Sequence, residues 1–386
     1  NAGAVDGGIR ALLGVLDHST NEEITNVGAR VMNKIAGKYL HEFLAKLQDP
    51  SLAAHDRDHY LRIVANLAID PRNAAQIRSS GVLPAMVASL EQRNVSAIAL
   101  PSIPITFERC ANTDADAAVV IAAGAIEGLV MGLQVYDANS TFVASGVSVI
   151  SALCTSEAHI AHINSQGGVT QVVRNVANHP EHPDVAIAVC RMIVSCADKG
   201  YNAGYFAATG GIPAIVASMQ SAAVTPVLAS AGAEGLNRMA LSHRSYLAQV
   251  ATSGGIGACI SALNNHGEDA TVALKNFNLL TTLASEPSYL GQIESEGGIT
   301  ALIAGMYAHS GNTDVQSAGK EAIALLVSEE TIRKQCVALQ AAMEVFKSAP
   351  TEPNAQGVEM VMVGLAAFGA VGGETIIAAG AVSALV

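Results

Sequence analysis

Tyr289-Leu-Gly-Gln-Ile-Glu-Ser-Glu-Gly-Gly-Ile-Thr-Ala-Leu-Ile-Ala-Gly-Met306 decides the fold of this chain. Leu290 and Ile293 stand three apart, the apolar edge of a short helix. Gly297-Gly298 breaks that helix, because glycine takes the backbone angles a sharp corner requires. Ile299, Leu302, Ile303 and Met306 then recur at the i, i+3, i+4, i+7 spacing of a second helix with one buried face. Past His309-Ser-Gly-Asn-Thr-Asp314, a longer third helix carries Val315, Ala318, Ala322, Leu325 and Leu326 as its apolar members. The unit is one short and two amphipathic helices.

The corner repeats along the chain every 43 or 44 residues: Gly81-Val-Leu-Pro, Gly124-Ala-Ile-Glu, Gly167-Gly-Val-Thr, Gly210-Gly-Ile-Pro, Gly254-Gly-Ile-Gly and Gly297-Gly-Ile-Thr. A period of that length marks a solenoid, in which each unit must stack on its neighbours to bury its apolar face. The helix before the corner recurs in Ile160-Ala-His-Ile-Asn-Ser-Gln, in Tyr246-Leu-Ala-Gln-Val-Ala-Thr-Ser and, with more drift, in Ala75-Gln-Ile-Arg-Ser-Ser. Together with third helices that close on Asn66-Leu-Ala, Ser195-Cys-Ala or Thr282-Leu-Ala, these copies carry a resemblance to the armadillo repeat family over nearly the whole chain. HEAT repeats are the near competitor; the Gly-Gly corner and short first helix favour armadillo. The resemblance implies an all-α, right-handed α-solenoid, the armadillo superhelix. We count about nine three-helix repeats with incomplete terminal ones, in a single array over 1–386 that is expected to be a fragment of a longer protein.

The register also marks departures. Corner elements are expected near 7, 38, 81, 124, 167, 210, 254, 297, 337 and 380, but the short first helix is missing between Gly7-Gly-Ile-Arg and Tyr39-Leu-His-Glu, near Lys38, and Val337 stands where a corner glycine is due. Those two junctions are candidate sites of altered curvature. Pro101 and Pro104 fall where a third helix should be under way, so that helix is expected to begin late or bend.

In the family's peptide-binding members, third helices line a groove with a repeated Trp-x-x-x-Asn pattern. Stepping this chain at its own period, the asparagine column reads Lys34, Asn66, Arg109, Ala152, Ser195, Arg238, Thr282 and Leu325. The column four residues earlier reads Arg30, Arg62, Ile105, Ser148, Arg191, Glu234, Asn278 and Glu321, and the chain has no tryptophan. Loss of both ladders argues against a receptor for basic localisation signals. A gradient stands in their place, from Arg30, Lys34, Arg62, Arg109 and Arg191 to Glu234 and Glu321. The groove is therefore expected to hold an acidic or phosphorylated partner segment in its N-terminal half. The competing reading is that these arginines pair with acids such as Glu22, Glu23 and Asp70.

Composition narrows the function classes. The net charge of −12 opposes a non-specific hold on nucleic acid or an anionic membrane, so neither is expected as a partner. The weakly charged stretch 117–133 contains Gly124 and Glu127 and is too short for a good membrane span. Six cysteines (Cys110, Cys154, Cys190, Cys196, Cys259 and Cys336) have no zinc spacing and read as reduced, buried thiols of an intracellular protein. His55/His59, His159/His162 and His179/His182 stand at three- or four-residue spacings with no third ligand in view, so no metal or other cofactor is expected. No phosphate loop, nucleophile elbow or dinucleotide fingerprint occurs. The sequence thus leads to a non-catalytic scaffold or adaptor within a multi-protein complex. By family resemblance its setting is cytoplasmic, in a cytoskeletal or ciliary assembly; the rival is a chaperone-like regulator of a motor or enzyme client.

Overall fold

The six corner glycines from Gly81 to Gly297 are left-handed residues in the computed structural model, with φ of 78° at Gly81, 83° at Gly124, 75° at Gly167, 84° at Gly210, 91° at Gly254 and 89° at Gly297. The structure describes residues 37–179, 182–198, 204–222 and 224–326, with isolated positions outside these ranges. Among the described residues there are helices and turns but no strand. Left-handed backbone costs an L-residue with a Cβ about 1–2 kcal/mol, which is why glycine stands at each corner. Gly298, the second of its pair, is there for another reason. A Cβ on it would lie 2.8 Å from the Ile293 carbonyl oxygen and 2.5 Å from Ile293 Cγ2. The first helix meets the second too closely for any side chain at that point.

The chain forms two compact units, Asn1–Tyr201 and Asn202–Val386. In the first, Ala54–Leu67, Ser102–Cys110, Ser140–Ala152 and Pro183–Asp198 are third helices, each packed on the next. Second helices Leu40–Leu47, Val82–Glu91, Ala125–Val135 and Gly168–Asn178 stack in the same order. First helices Pro71–Ser79, Asp114–Ala122 and Glu157–Ser165 close each corner. In the second unit, third helices Pro226–Ser242, Ala270–Ala284 and Thr313–Leu326 repeat the arrangement, as do second helices Gly211–Met219, Gly255–His266 and Gly298–Ala308.

Polar side chains set where helices begin. Asn139 accepts from the Phe142 amide, Thr225 from Leu228, and Asp269 from both Thr271 and Val272, each starting a third helix. Asp70, Thr113 and Ser156 do the same for first helices. The proline expectation holds: the second third helix starts only at Ser102 and is nine residues long, against fourteen for Ala54–Leu67. Residues 97–101 form turns, because Pro101 and Pro104 cannot donate to the preceding carbonyls.

Ile293, Ile299, Leu302, Ile303 and Met306 are all buried, as are Val315, Ala318, Ala322 and Leu326. Leu325 is not; it is 41% exposed, and Ile323 fills the core in its place. The weakly charged stretch 117–133 is two helices bent by 65° at Gly124, and no single helix is long and apolar enough to cross a membrane. Near Lys38 a 3-10 turn, Gly37–Tyr39, leads directly into Leu40–Leu47, and no left-handed residue stands there. Gly7 and Gly8 are helical and exposed, and Val337 is helical and exposed; Gly380 lies outside the described residues.

Candidate functional site

A third helix that packs on two others keeps one strip of side chains for solvent, and the sequence columns fall on that strip. In the first unit Arg62, Asn66, Ile105, Arg109 and Ser148 are half-buried, and Arg191 is exposed. In the second, Glu234, Arg238, Asn278 and Thr282 are half-buried and Glu321 is exposed. Lys34 is helical and exposed, whereas Arg30, Glu22 and Glu23 lie outside the described residues.

Several of these side chains are engaged between repeats. Arg109 donates from Nη1 to the Ala65 carbonyl of the preceding third helix. Burial holds its pKa below the ordinary arginine value, opposed by the neighbouring Glu108 carboxylate. Glu108 is the more exposed of the two, and its Oε1 accepts from Ser148 Oγ at 3.3 Å. In the second unit Lys275 Nζ donates to Glu234 Oε1 at 2.7 Å, and Thr282 Oγ1 to Asn237 Oδ1 at 2.7 Å. Asn66 turns its Nδ2 back to the Arg62 carbonyl at 2.9 Å. Asp70 caps Pro71–Ser79 and lies 3.6 Å from Arg72, so its charge is used locally.

Glu108, Asn237 and Lys275 are the members that column reading passes over. The columns compare residues 43 or 44 apart, but the partners stand 40, 41, 44 and 45 apart, each one to three positions off the column mate. A helical side chain leans along its own helix, so it meets a residue displaced from the one directly opposite. Pairs of opposite character at those offsets are the signal in sequence.

Several histidines of the three pairs reach partners outside their pair, while the His179 and His182 rings lie 5.9 Å apart, tilted by 43°. His162 Nε2 lies 3.2 Å from Glu127, His159 Nδ1 2.8 Å from Thr155 Oγ1, and His179 Nε2 2.8 Å from Asp137. His55 is exposed while His59 is buried beside Tyr60. Among the described residues no three His, Cys, Asp or Glu side chains are grouped to hold a metal ion. Cys110, Cys154, Cys190, Cys196 and Cys259 are buried; Cys336 lies outside the described residues. Burial pushes the Cys110 and Cys190 thiols up to about 12, and Cys259 is raised for the same reason.

Comparison with solved structures fixes the fold class. The crystal structure of an engineered protein is similar over 99% of this chain and 93% of its own, with a TM-score of 0.64 at 18% identity. A chain from a structure on a conserved phosphorylation switch controlling the interaction between cadherin and beta-catenin is similar over 95% of this chain and 74% of its own, with a TM-score of 0.64 at 13% identity. The fold is armadillo-like. A designed armadillo repeat protein also aligns, over 75% of this chain and all of its own, with a TM-score of 0.41 at 14% identity. No protein-family model and no curated protein matches the chain.

Proposed function

We propose that this chain is a non-catalytic protein-interaction module, a scaffold or adaptor whose stacked third helices hold a partner segment. One observation carries the reading: in each unit the third helices pack consecutively and turn a strip of polar side chains to solvent, in register from repeat to repeat. Such a surface suits an extended segment, since its contacts recur at a fixed step along the stack. In the first unit the strip carries Arg62 and Arg191, which favours an acidic or phosphorylated segment; Arg109, tied to the Ala65 carbonyl, contributes charge but little reach. The cytoskeletal or ciliary setting rests on the family resemblance alone.

The test is hydrogen exchange with and without a pool of acidic peptides. Protection is expected on Ala54–Leu67, Ser102–Cys110, Ser140–Ala152 and Pro183–Asp198, and should disappear in an Arg62→Glu, Arg191→Glu double variant. Protection confined to first helices, or unaltered in the variant, would overturn the reading.

A further inference from the structure

Arg57, on the third helix Ala54–Leu67, is a charged side chain only 5% exposed. Its Nη2 donates to the Leu52 carbonyl at 3.1 Å, and its Nη1 to Oγ of Ser89, itself 3% exposed, at 3.4 Å. The Asn94 amide, turned so that both its polar atoms find partners, accepts from Nη1 at 2.7 Å and donates to the Ser89 carbonyl at 3.1 Å. Nε is buried and has no partner. Every acceptor around the guanidinium is thus neutral, and among the described residues no carboxylate pairs with it. Asp49 feels its charge, but its Oδ1 accepts from the Ser51 amide at 2.9 Å and hydroxyl at 2.7 Å; Asp58 accepts from the Ser96 amide.

The stacking does not ask for a cation here. Leu100, Val143, Ala186, Ala229 and Ala273 stand at the register of Arg57 in the following repeats, and all are buried. At the register of Asn94 the next repeat carries Asp137, whose carboxylate meets Asn175 Nδ2 and His179 Nε2 at 2.8 Å each. Arg57 therefore faces a neutral amide where the neighbouring repeat has an acid. A buried charge without a counter-charge is costly, and arginine does not escape by shedding its proton.

We infer that Arg57 is the centre of a binding site for a small inorganic anion of the chloride class, lined by Ser89 and Asn94. The ion supplies at Nε the counter-charge that the chain omits, and guanidinium, more weakly hydrated than ammonium, gives up water to it readily. Nε lies beneath the surface turns at 49–52 and 92–94, so the ion must be small enough to enter between them. Bound there, it joins Ala54–Leu67 to Val82–Glu91 of the next repeat.

Hydrogen exchange on the full chain tests this, with gluconate replaced by chloride at constant ionic strength. Exchange in Ala54–Leu67 and Val82–Glu91 should slow saturably, by about elevenfold at ten times the dissociation constant, because the ion binds only the closed form. Arg57→Met, which installs an apolar side chain as in the other repeats, should remove the chloride effect. Asn94→Asp, which supplies the missing carboxylate, should slow exchange in gluconate and leave chloride nothing to add. If Arg57→Met does not fold, Asn94→Asp decides alone. No saturable slowing in the unaltered chain would overturn the site, and so would slowing of the same size in Asn94→Asp.

Discussion

Gly298 and Gly291 show how one residue type does opposite things a few positions apart. Gly298 faces the Ile293 carbonyl with no room for a Cβ, while nothing lies within 4 Å of a Cβ added at exposed Gly291. Gly298→Ala should therefore lower stability by about 1–3 kcal/mol through overpacking. Gly291→Ala, inside Leu290–Ser295, should raise it by about 0.5–1 kcal/mol through helix propensity. Urea unfolding of the two variants checks this, and shifts of the same sign would refute it. The buried thiols give a second prediction. Cys110 and Cys190 are raised from 9.0 to about 12, so the folded protein keeps protons that the unfolded chain releases above pH 9. Their contribution is whole below that pH and is lost as pH climbs from 9 toward 12, by up to about 1.4 kcal/mol per unit for each thiol. Unfolding midpoints measured across that range should fall, and fall less steeply when Cys110 and Cys190 are replaced by alanine.

Between elements, hydrogen bonds and ion pairs join one third helix to the next. The Glu234–Lys275 pair is partly shielded, with side chains 28% and 30% exposed. A double-mutant cycle with Glu234→Gln and Lys275→Met should give a coupling of about 0.5–1 kcal/mol at low salt, shrinking as salt screens it. No coupling at low salt would mean that the pair is incidental to the stacking. The glycine corners could be read from sequence because a left-handed residue leaves almost no alternative to glycine. The late start at Ser102 was legible too, since Pro101 and Pro104 obey a local rule. Leu325 was misplaced because it stands ten residues after Val315, which turns it off the face shared by Val315, Ala322 and Leu326.

Across the molecule, each unit is built by one operation repeated, with second helices on second helices and third on third. That operation was legible in the residues alone: its period, its six corners, the buried faces of its helices apart from Leu325, and the columns on its third helices. Those follow from local rules, glycine's freedom at positive φ and helical periodicity, which act within one repeat. The sequence could not say which column residues are spent holding neighbouring repeats. Only the tertiary structure tied Arg109 to Ala65, Lys275 to Glu234 and Thr282 to Asn237, and left Arg191 exposed. The physical reason is reach: a side chain leaning along its helix bonds a residue off the period by a few positions, and packing alone chooses which one.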